Sequence, residues 1–176
     1  MERTIKQKIM IFFVITAINV FILSQVAYAQ SLKQQLIGTW KISSATMQIG
    51  DQVKPVALGK DIAGLIMYAS DGYMCFAAMS ANRPKLGTED RLGGTVDQKA
   101  AAYDSYRNTC GSYQIISEQE RIISHAFEVS LNPDVTGQTE KRFVKEISAD
   151  RLVLQTIPHT VGGQQAIGVW VYQRVK

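Results

Sequence analysis

The strongest constraint on how this chain folds is a run of short segments, each six to twelve residues long, rich in β-branched and aromatic residues and separated by turn residues. The segment 122–131 alternates most cleanly. Ile123, His125, Phe127, Val129 and Leu131 share one face, and Ser124, Glu128 and Ser130 share the other. Ser70-Asp71-Gly72 separates two apolar runs, 62–68 and 73–79, a spacing that encodes a hairpin. Further strands are expected over 38–49, 110–116, 139–147, 152–157 and 165–175, with turn chemistry at Gly50-Asp51, Asn132-Pro133-Asp134, Asp150-Arg151 and Gly162-Gly163. About eight evenly spaced antiparallel strands predict an all-β fold. Closing them into a single barrel removes the exposed edges.

One helix interrupts the strands. Gly93-Gly94 breaks the chain, and Thr95 to Gln98 fits a capping box. Asp97 suits the positive end of the helix dipole, and Ala100 to Ala102 favour helix. The expected apolar stripe is Val96, Ala100, Tyr103 and Tyr106, with the helix ending over 108–111. The hairpin 62–79 is apolar on both faces, so a helix or a second subunit is expected to cover its outside.

The first 29 residues read as a secretory leader: Arg3, Lys6 and Lys8, an apolar run of 15 residues from Ile9 to Leu23, then Ala27-Tyr28-Ala29 before Gln30. A spanning helix needs about 20 apolar residues, so cleavage is expected rather than anchoring. The expected product is a periplasmic or secreted domain, 30–176, of 147 residues with no membrane span. It carries sixteen Lys and Arg against fourteen Asp and Glu, too even a balance for nucleic-acid binding. An oxidising compartment permits a Cys75–Cys110 disulfide; two buried thiols are the alternative. With strands starting near Asp71 and Thr109, Cys75 falls opposite about Gln114. That leaves the cysteines roughly 13 Å apart along the sheet, beyond bridging distance.

Leu36-Ile37-Gly38-Thr39-Trp40 carries a G-x-W at the opening of the first strand. With residues 64–68, 70–74, Asn82-Arg83-Pro84, Gly111-Ser112-Tyr113, His125 through Pro133, Gly137, Arg142 and the ending 171–175, the mature chain resembles the bacterial and fungal lipocalin-like domain family. Tyr172 and Cys75 stand where that family usually has Trp and Ser or Ala. The resemblance implies a calycin-type barrel with an interior cavity, Trp40 closing its narrow end and Arg174 lying over the indole. It implies no settled activity; similar fungal proteins in secondary-metabolite pathways keep an enzyme in view.

His125 on an apolar face is the foremost candidate ligand-binding group, although a satisfied core histidine has the same pattern. Arg142 offers a guanidinium fork for a ligand anion, or an ion pair with Glu128 or Glu140. Phe127, Tyr68, Tyr103, Tyr106 and Tyr113 are candidate lining residues, with Tyr103 and Tyr106 placed on the helix. Trp40 and Arg174 are structural. No nucleophile elbow, zinc motif or phosphate loop is present, and His125 and His159 have no metal-ligand spacing, so no catalytic residue, metal or cofactor is assigned. The expected function is binding of a small hydrophobic or amphipathic molecule. An isomerase or cyclase in the same cavity, and a filled interaction module forming a homodimer, are the alternatives.

Overall fold

The computed structural model describes residues 30–90 and 92–176. The leader assigned to residues 1–29 lies outside the described residues. In chain order the elements are helix α1 (Leu32–Leu36), β1 (Gly38–Ile49), β2 (Gln52–Pro55), β3 (Ile62–Tyr68) and β4 (Tyr73–Ser80). Helix α2 (Val96–Asp104), β5 (Tyr106–Ser117) and β6 (Ile122–Ser130) follow. After a single 3₁₀ turn at Pro133–Val135 come β7 (Thr139–Ile147), β8 (Arg151–Thr156), β9 (His159–Val161) and β10 (Gln164–Arg174).

Eight of these strands pair antiparallel in the order β1-β3-β4-β5-β6-β7-β8-β10, and β10 returns to pair with β1. The result is the expected closed barrel. The short β2 and β9 extend β1 and β10 as hairpins. Read from the sequence, Gly50-Asp51 and Gly162-Gly163 mark turns without the short strands that flank them.

One end of the barrel is sealed. Ser31 and Gln34 form a capping box that starts α1, and Leu32 and Leu36 are buried beneath the strands. The Leu32 N–H donates to Glu118 at 3.0 Å. The Trp40 indole N–H donates to the Leu36 carbonyl at 2.8 Å. The largest fully buried side chains include Trp40, Tyr68, Ile66, Ile123, Leu152 and Val144. Each such side chain contributes about 1.5–3 kcal/mol by leaving water.

Arg174 lies over the Trp40 ring at 3.9 Å. It donates to the carbonyls of Ala149, Ile37 and Gln35 at 2.6, 2.8 and 2.7 Å. Gly38 has φ +128°, and a Cβ there would sit 2.8 Å from the Arg174 Nη1. The glycine of the G-x-W therefore leaves the space that the guanidinium occupies.

Three expectations are corrected. Strand β5 begins at Tyr106, four residues before the expected start, because α2 ends at Asp104. The pairing with β4 moves by the same four residues, so Cys75 lies directly opposite Cys110. Their Cα atoms are 4.1 Å apart and the sulfurs are bonded, not separated along the sheet. Second, the β5–β6 ladder shifts between Cys110 and Gly111. A bulge reverses the alternation, so Val129 leaves the His125 face and is 61% exposed. Third, α2 buries none of its residues, so its expected apolar stripe covers nothing. The outside of the β3–β4 hairpin keeps Met67, Tyr73 and Met79 exposed.

Candidate functional site

Inside the barrel lies a cavity of about 510 Å³. Alternation along the strands aims its wall residues inward: Met47 of β1, Met74 and Phe76 of β4, Phe127 of β6, Leu154 of β8 and Trp170 of β10. Phe76 meets Trp170 edge to face, with ring centroids 5.2 Å apart. Loops bring Val56, Leu58, Val135 and Ile157 to the mouth, beside the polar Arg107, Asn132 and His159. An eight-stranded barrel is just wide enough to be either filled or hollow, and here side-chain size leaves it hollow.

The polar groups gather toward the sealed end. His125 is 3% exposed, and its Nε2 is 3.0 Å from the Tyr68 hydroxyl. Burial pushes the His125 pKa down to about 3, with the Arg142 charge acting in the same direction, so the imidazole is neutral. Burial also holds the Tyr68 phenol well above its usual range, with Tyr172 adding to it. When Tyr68 donates its proton to Nε2, the imidazole carries its own proton on Nδ1. Tyr113 packs edge to face on Tyr68, centroids 4.9 Å apart, and donates its hydroxyl to the Ala69 carbonyl at 3.0 Å.

Arg142 and Glu140 both point inward from β7, two residues apart, and form an ion pair and a hydrogen bond. Arg142 also donates to the Lys141 carbonyl at 2.9 Å. Its side chain is 17% exposed against 42% for Glu140, so the carboxylate is the partner nearer water. The ion pair is with Glu140, and the other partner weighed, Glu128, is exposed.

Tyr172 lies beside this group. It is 2% exposed, and burial raises its phenol pKa while Arg142 draws it down. Among the described residues its hydroxyl has no hydrogen-bond partner, and the side chain lines the cavity.

Of the residues singled out from the sequence, His125, Phe127 and Arg142 line the cavity. Tyr68 and Tyr113 stand behind His125. Tyr103 and Tyr106 do not line it. Tyr103 is 43% exposed on α2, and Tyr106 belongs to β5, where the Arg83 guanidinium sits 5.4 Å over its ring. Arg83 also bonds Ser105 and Ala102 at 3.0 and 2.8 Å, tying its loop to the end of α2. Sequence reading missed Tyr172 and Trp170 as lining residues. The signal was the alternation Ala166, Gly168, Trp170, Tyr172 along β10, opposite the polar Gln165 and Gln173.

The profile of the lipocalin-like domain family matches residues 37–175. Among solved structures, a lipocalin-like protein from Bacteroides uniformis is 12% identical, with 80% of this chain and 99% of that one aligned at a TM-score of 0.41. A redesigned β-barrel is 14% identical, with 83% and 96% aligned at 0.39. No curated protein matches this chain.

Proposed function

Because the chain belongs to the lipocalin-like domain family, we propose that it binds one small hydrophobic or amphipathic molecule in the barrel cavity. The observation that carries this reading is the cavity itself, about 510 Å³ with apolar walls and a few converging polar groups. The walls supply affinity; His125, Arg142 and Tyr172 supply orientation. The test is titration with a neutral apolar fluorophore such as N-phenyl-1-naphthylamine, followed by its displacement with a panel of amphiphiles. Saturable one-to-one binding is expected. No response across the panel would remove the proposal.

Export to the periplasm or beyond the cell is part of the same proposal. The leader-like residues 1–29 support it, as does a disulfide, which persists in oxidising compartments. A mature N-terminus at Gln30 in protein recovered from the cell envelope or medium tests it; full-length protein in the cytosol overturns it.

An isomerase or cyclase in the same cavity is a second reading, favoured by the Tyr68–His125 pair. A histidine of such low proton affinity is a weak base at neutral pH, which leaves binding the better-supported function. For the homodimer, β3 and β4 contain no charged residue, so a second copy on their outer face would bury no unpaired charge.

A further inference from the structure

We infer that the ligand binds with a neutral hydrogen-bond acceptor, a ketone or aldehyde carbonyl, placed against the Tyr172 hydroxyl deep in the cavity. The inference rests on the binding reading above and names the ligand's head group.

Tyr172 is buried in the cavity wall, and its hydroxyl has no partner among the described residues. No buried side-chain polar atom among the described residues lacks a partner, so the Tyr172 hydroxyl is reached from the cavity side, where it is free to donate to a ligand atom. Tyr68 and the Nε2 of His125 satisfy each other, which leaves the Nδ1–H of the cavity-lining imidazole as a second neutral donor. Arg142 has Glu140 as its counter-charge on the same strand. His125 sits neutral, and the Tyr172 phenol keeps its proton.

The sealed end of the cavity therefore offers an O–H donor in a setting whose formal charges cancel. A carboxylate head would add a second negative charge beside Glu140 and would compete with it for the single positive charge of Arg142. An ammonium head would face Arg142 and the phenolic proton. A carbonyl accepts from Tyr172 and disturbs neither charge. Its chain then runs along Phe76, Phe127, Leu154 and Trp170 toward the mouth.

The test is calorimetric titration of the whole domain with 2-decanone, decanoate and decylammonium, matched in chain length and different in head group. 2-Decanone is expected to bind tightest. Tyr172→Phe removes only the unpartnered oxygen, so it keeps the melting temperature and weakens 2-decanone roughly five-fold, the size of one neutral hydrogen bond. Glu140→Gln exposes the Arg142 charge and shifts preference toward decanoate. Decanoate binding ten-fold tighter than 2-decanone to the unmodified protein would overturn the inference and leave the binding reading standing. Unchanged 2-decanone affinity in Tyr172→Phe would do the same. Failure of all three probes would overturn both.

Discussion

His125 illustrates how burial alone fixes the state of an ionisable side chain. It lies against the Tyr68 phenol and the Phe127 ring, with Glu140 opposite it on β7, and burial, with the Arg142 charge adding to it, holds its folded pKa at about 3. An unfolded histidine titrates near 6.5. Between about pH 6.5 and 3 the unfolded chain binds a proton that the folded chain refuses. Stability therefore rises with pH across that window and is lost as pH falls through it. Urea midpoints at pH 7 and pH 4.5 should separate more in the unmodified protein than in His125→Gln; equal separations would contradict the assignment. Gly38 makes a second residue-scale prediction. Gly38→Ala places a Cβ against Arg174 at a φ that favours glycine, and should cost about 1–3 kcal/mol, read as a lowered urea midpoint.

At the scale of elements, register decides what faces what. The Cys75–Cys110 disulfide joins adjacent strands across 35 residues of sequence. Closing a loop of that size in the unfolded chain stabilises the fold by about 3–4 kcal/mol in the chain-entropy account. The paired change Cys75→Ala and Cys110→Ala should lower stability by that amount while leaving the barrel's circular dichroism intact. The β5–β6 bulge depends on Gly111, where a Cβ would run into the Ala126 carbonyl oxygen. Gly111→Ala should cost about 3 kcal/mol or more, because backbone rather than a flexible side chain must give way. An unchanged denaturation midpoint would show that the bulge does not depend on that close approach. The element boundaries themselves were largely legible, from 38–49 through 139–147, because alternation and turn residues are local signals. The start of β5 was not, because it depends on where α2 stops, and Tyr106 suits either element.

At the scale of the molecule, closure of β1 onto β10 leaves a hollow interior and an uncovered outer face on the β3–β4 hairpin. A ligand at one hundred times its dissociation constant should stabilise the domain by about 2.7 kcal/mol, raising the melting temperature in a concentration-dependent way. A melting temperature indifferent to every cavity probe would contradict ligand binding. If the outer face of the hairpin meets a second copy, light scattering will show a dimer that Met67→Lys breaks. A monomer at all concentrations would exclude that arrangement.

The sequence by itself determined the class of fold, since the period of two in segments such as 122–131 is written residue by residue. The resemblance carried by the G-x-W and the C-terminal residues implied the sealed end, with Trp40 closing it and Arg174 over the indole, and the structure places both there. The sequence offered His125, Phe127 and Arg142 as candidate cavity residues, with a satisfied core histidine and an ion pair as the alternatives for His125 and Arg142. Only the tertiary structure decided the pairing of Cys75 with Cys110, the outward turn of Val129 and the removal of Tyr103 and Tyr106 from the cavity. The first two depend on a register or a bulge set between two strands, and the third on where α2 stops and on its burying nothing, none of which a single segment encodes. Tyr172 belongs to the same group. Its position on β10 was visible in the alternation, but an open hydroxyl is a property of everything packed around it.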